Sequence, residues 1–114
     1  MYLIEQITDD PLQQQILVLP DGSTLLLQIS FKPLQYGWFI NSLTYKTFIL
    51  NGLRITNSPN FLHQFKNKIP FGLGCFSKDN REPSLQQDFV SGASKLYLLD
   101  SMEIEDYEVF LSNG

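Results

Sequence analysis

The chain has 114 residues, a length that suits one domain whose core can stand without disulfides or metal. Hydrophobic residues make up 43% and aromatics 13%, which argues against disorder over most of the length, and a single Cys75 and a single His63 exclude an internal disulfide and a Cys/His metal cluster. The net charge of −4 is segregated: residues 1–21 carry four acids and no base, 22–78 carry six bases and no acid, and 79–114 carry eight acids against Arg81 and Lys95. Acidic ends and a basic middle offer complementary patches to copies or neighbours, unless sheet pairing mixes the segments.

The opening MYLIEQITDD lacks the basic start and long apolar run of a secretory signal, and no apolar stretch is long enough to cross a bilayer. The expectation is synthesis in a cytoplasm with no membrane anchor. In QQILVLPDGSTLLLQISF, two apolar runs flank Pro20-Asp21-Gly22, where proline presets the first turn angle and glycine takes the positive φ that closes a hairpin. WFINSL and KTFILNGLRIT read as further strands, with Tyr45, Thr47 and Ile49 to one side, Lys46, Phe48 and Leu50 to the other, and a turn at Asn51-Gly52.

NFLHQFKN allows a short helical turn capped by Asn60, limited by Pro59 and Pro70, or an extended loop into the strand FGLGCF. Gly72 and Gly74 are expected to relieve crowding at a bend or bulge. KDNREPSLQQD reads as a surface loop before the strand SKLYLLD, and DYEVFLSNG as a last strand, with Tyr107, Val109 and Leu111 alternating with Glu108 and Phe110. The fold class that follows is all-β: one antiparallel barrel or sandwich with at most one short helix, its core over about 13–100 and an acidic strand and tail over 101–114.

No catalytic constellation is expected. His63 has no GxSxG elbow to serve, and the glycines of FGLG match neither phosphate-cradling pattern. The acids Glu103, Glu105, Asp106 and Glu108 lack the spacing of a calcium loop and read as a solvated edge. Cys75 beside Phe76 reads as a small buried apolar group. HQFKNK interleaves Phe65 with Lys66 and Lys68, a pattern that can stack a base and meet phosphates, yet a sequence pI near 4.7 sets the whole chain against a polyanion. No cofactor, metal, specific nucleic acid or membrane is therefore expected as a partner.

The order of ILVLPDGSTLLLQISF, GWFINSL, FILNGLRITNSPNFL, GLGCF and EPSLQQDFVSGASKLYLL resembles the small phage baseplate plug family of tail proteins, over roughly Gln15 to Leu99. The resemblance is carried by Trp38, Gly52, Asn60-Phe61-Leu62, Gly72 to Gly74, Asp88-Phe89 and Leu96-Tyr97. It implies a structural component of a bacteriophage tail baseplate, present in several copies near the hub and the end of the tail tube, with no catalysis. The charge segregation adds an expected assembly surface, with the acidic Glu103, Glu105, Asp106 and Glu108 on a different face from Lys66 and Lys68 and at least one of the two at a subunit boundary or facing the central channel. The alternative is a stand-alone β-sandwich module that grips a carbohydrate or peptide through exposed Tyr36, Trp38 and Tyr45.

Overall fold

The structure, a computed structural model, describes residues 2–65, 67–78, 81–100 and 102–104. These residues form strands β1 (Tyr2–Leu3), β2 (Leu12–Val18), β3 (Thr24–Lys32), β4 (Gly37–Tyr45), β5 (Phe48–Leu50), β6 (Leu53–Arg54), β7 (Gly72–Ser77) and β8 (Ser94–Leu99). They make two antiparallel sheets in one domain: five-stranded β2-β3-β4-β5, with β6 also on β4, and three-stranded β1-β8-β7. The two sheets pack as a sandwich and do not close into a barrel.

The reversal at Pro20-Asp21-Gly22 stands as the local chemistry demands. The Gly22 N–H closes on the Leu19 carbonyl, and the Asp21 carboxylate accepts the Ser23 N–H. Strand β4 then breaks its own alternation. Trp38 and Ile40 face the core, and so do Leu43 and Tyr45, which simple alternation would send to solvent. The register shifts between Gln28 and Ile29 of β3, which pair with Ser42 and Ile40, so Asn41 is the extra residue of a β-bulge. Without it, a large apolar pair would face water.

The expected run of one strand from Lys46 with a hairpin at Asn51-Gly52 is not what forms. The chain reverses at Lys46 and Thr47, between the paired Tyr45 and Phe48, with Lys46 in the left-handed region at φ 52°. β5 and β6 both run antiparallel to β4, and Gly52 (φ 78°) sits in the break between them, its N–H bonded to the Ile40 carbonyl.

Beyond β6 the chain crosses to the other sheet, where Ser58 bridges Cys75 on the edge of β7. Both alternatives for the next stretch hold in part: His63–Phe65 form a 3-10 turn, and just ahead of it the Asn60 side chain accepts the Leu62 N–H at 3.1 Å. The same Asn60 oxygen accepts the Leu73 N–H at 3.2 Å, which ties the turn to β7. Gly72 and Gly74 permit this approach. A Cβ at Gly72 would lie 2.6 Å from the Asn60 side-chain oxygen, and one at Gly74 would lie 2.5 Å from the Pro59 carbonyl oxygen. The expected crowding is real, although the strand is regular there and pairs residue for residue with β8.

The polar loop before β8 is not a plain surface loop. Pro83 and Asp88 are buried in it, and the Trp38 indole donates to the Leu85 carbonyl at 3.0 Å. Trp38 itself is fully enclosed, with Phe31 at 5.5 Å and Phe89 edge-on at 5.4 Å. The core also exceeds the expected 13–100: Ile4 is buried beyond β1, and Ile104 is buried after β8. Residues 102–104 are helical, just ahead of the expected last strand DYEVFLSNG. That strand and the remainder of the tail, residues 105–114, lie outside the described residues.

Candidate functional site

Most residues singled out in the sequence resolve into structural roles. Asp88 is a buried corner: its carboxylate takes a two-pronged contact from Arg81 at 2.8 and 2.9 Å, and one oxygen also accepts the Ser84 and Leu85 N–H groups at 2.8 and 2.9 Å. Burial pushes its pKa up most strongly as a single influence. The Arg81 bond and the Leu85 and Ser84 amides together outweigh it and hold the carboxyl below the usual range. Cys75 is buried in β7, and desolvation pushes its thiol up to about 11, so it stays a protonated apolar filler at neutral pH. His63 lies on the 3-10 turn whose Phe65 packs edge-on against Phe48 at 5.5 Å. Among the described residues, no group of three or more His, Cys, Asp and Glu comes together.

The aromatic platform proposed for a ligand-binding module is not assembled. Trp38 is 0% exposed and Tyr45 5% exposed, which leaves only Tyr36 at the surface.

Of the expected assembly residues, Lys68 is exposed just after the 3-10 turn, with its N–H on the Phe65 carbonyl. Glu103 is not on a solvated strand edge. Asp100 Oδ1 accepts the Glu103 N–H at 2.9 Å and Glu103 Oε1 accepts the Asp100 N–H at 3.3 Å, a reciprocal capping box at the start of a helical turn. The pattern Asp100-x-x-Glu103 was the signal for it. Lys66, Glu105, Asp106 and Glu108 lie outside the described residues.

The surface that does stand out is the outer face of the five-stranded sheet. Register places Ile16 beside Leu26, Leu26 beside Thr44, and Thr44 beside Ile49, one row across four strands. Ile16 is 70% exposed and Ile49 63%, and Val18 next to Thr24 is 67% exposed. The adjoining row is neutral and polar: Gln14 pairs with Gln28, whose side-chain oxygen accepts the Asn41 amide at 2.6 Å. At the far end, the Phe39 ring lies between the Lys32 ammonium at 4.8 Å and the Arg54 guanidinium at 5.6 Å. Strands β2 to β6 contain no acid, and their only charges are Lys32 and Arg54. This face offers apolar contact and neutral hydrogen bonding, chemistry suited to another protein surface.

No helix among the described residues is long and apolar enough to cross a membrane. No family model matches this chain, and no curated protein matches it.

Proposed function

We propose that the protein is a structural component of a bacteriophage tail baseplate, packing in several copies against hub, tube or neighbouring baseplate subunits in the virion. The observation that carries this reading is the apolar row Ile16, Leu26 and Ile49, its two ends exposed and Leu26 half-buried between them, on a sheet face without acids whose only charges are Lys32 and Arg54 at the far end. Large apolar side chains left in water at such exposure are a cost that a partner surface removes, at roughly 25 cal/mol per Å² of apolar area covered. The ordered sequence resemblance to baseplate plug proteins supplies the kind of assembly. The aromatic ligand-binding alternative has no supporting observation once Trp38 and Tyr45 are buried.

The test is complementation of a phage that lacks this gene. Tagged parent protein is expected to sediment with tails, whereas the double substitution Ile16→Lys and Ile49→Lys is expected to be absent from tails while its melting temperature stays within a few degrees of the parent, because both side chains face solvent. A parent protein that never co-sediments with tails would remove the reading.

A further inference from the structure

Strand β2 has a second property that the outer face does not use. Its ladder to β3 is bracketed by Leu19 N–H to the Ser23 carbonyl and Phe31 N–H to the Pro11 carbonyl. With Leu17 opposite Leu25, Gln15 opposite Leu27 and Gln13 opposite Ile29, the odd-numbered residues exchange the sheet bonds. Gln14, Ile16 and Val18 therefore aim their N–H and C=O groups away from the sheet. Leu12, the other even residue, has its N–H taken by Asp10 Oδ1 at 3.1 Å.

Sheet edges are normally blunted by charge, proline, a bulge or brevity. β2 is seven residues of LQQQILV with none of these. The opposite edge of the same sheet is blunted: β5 has three residues, β6 has two, and Gly52 breaks the line between them. The inward glutamines of β2 are already committed, because Gln13 and Gln15 donate to the carbonyls of Thr8 and Glu5. That holds the segment after β1 beneath the strand and leaves its edge open. Alongside runs a groove of about 430 Å³ between the sheets, walled by Leu3, Leu17, Val18, Leu19 and Leu98, with Glu5 the only charged residue lining it among the described residues.

Charge narrows the occupant. Residues 1–31 contain Glu5, Asp9, Asp10 and Asp21 and no base. Lys46 lies near Asp21, and Lys95 lines a neighbouring groove with Glu5, whereas the exposed Asp9 and Asp10 form no ion pair with a described residue. Antiparallel pairing of two β2 edges centred on Gln15 would set Asp9 of one copy opposite Asp21 of the other, a like-charge contact at both ends. The acidic 103–108 stretch of this chain is mismatched for the same reason.

We propose that the β2 edge receives an extended strand of a partner protein, apolar at alternate positions and carrying Lys or Arg where it passes Asp9 and Asp10. The added strand continues the five-stranded sheet, bonds to the main chain of Gln14, Ile16 and Val18, and sends every second side chain toward the groove beside Leu17 and Leu98. The inference goes beyond the baseplate reading and does not depend on it, since it names a mode of recognition and not an assembly.

The probe is a synthetic peptide of alternating Val and Thr with two Lys at each end, compared with its twin bearing Glu at those ends, each titrated into the full chain and read by amide hydrogen exchange. At millimolar concentration the Lys peptide is expected to slow exchange at Gln14, Ile16 and Val18 by about tenfold or more while leaving Ile49 unchanged. The Glu peptide is expected to need about tenfold more for the same protection. Ile16→Pro removes an outward N–H and no sheet bond, so it should fold and lose the protection; Gln14→Pro serves if it does not fold. No protection by the Lys peptide, equal protection by both peptides, or protection that rises with protein concentration alone would each overturn the proposal, the last in favour of a second copy.

Discussion

Asp88 shows how a single acid in a polar loop becomes a structural corner. Its carboxylate gathers the Arg81 guanidinium and two amides, so the loop folds inward and the Leu85 carbonyl reaches the Trp38 indole. Asp88→Asn puts an amide where several donors converge, and is expected to destabilise the domain by about 2 kcal/mol, less than for a fully buried pair because Arg81 is partly in water. The pH dependence follows from the direction of its shift. A carboxyl whose folded-state pKa is depressed stabilises fully above the unfolded value of about 3.9 and loses that contribution as pH falls through the folded value. Urea midpoints of parent and Asp88→Asn should therefore differ most at neutral pH and converge below about pH 4. A gap that stays constant down to pH 2.5 would show that the lost charge is not the cause. The acceptance of the Ser84 and Leu85 amides by Asp88 was of a kind that nearby residues can signal, because a carboxylate in a turn accepts backbone N–H groups by local rules. Its partner Arg81, seven residues earlier, was not legible in the sequence.

At the scale of elements, the parts governed by adjacent residues were legible and those governed by distant ones were not. The β2–β3 hairpin follows from Pro20-Asp21-Gly22 alone. The turn at Lys46-Thr47 carries no such signature, since lysine has no preference for the left-handed region it occupies, and Asn51-Gly52 nearby offers a stronger but unused hairpin signal. The bulge at Asn41 is set by which side of β4 meets the core, a tertiary fact. The candidate outer face is hidden for the same reason: β2 has apolar residues on both sides, and only packing decides that Leu17 turns in while Ile16 and Val18 turn out. Gly52 needs positive φ although it makes a strand break and not a hairpin. A Cβ there would meet nothing within 4 Å, so Gly52→Val should cost roughly 1 kcal/mol or more through backbone strain alone. A denaturant midpoint equal to the parent's would place the strain elsewhere.

Across the whole molecule, strand β1 is locked to strand β8, more than ninety residues away in the sequence. Tyr2 pairs with Leu98 and Leu3 with Tyr97, the Ile4 N–H bonds the Leu96 carbonyl, and Ile4 is buried in the core. β1 has only two residues and no local signature, which is why it was illegible. Loop-closure entropy makes such contacts late to form, since joining β1 to β8 gains little until β7 and β8 are already paired. Ile4→Ala is thus expected to cost about 2–4 kcal/mol at equilibrium by removing a buried side chain. Nearly all of that loss should appear as faster unfolding, with the folding rate close to the parent's. Stopped-flow chevrons of parent and variant check this directly. A folding arm slowed in proportion to the lost stability would mean that the N-terminal strand is already docked in the transition state, and that the sandwich nucleates across its open side instead of from the β2–β3–β4 hairpins.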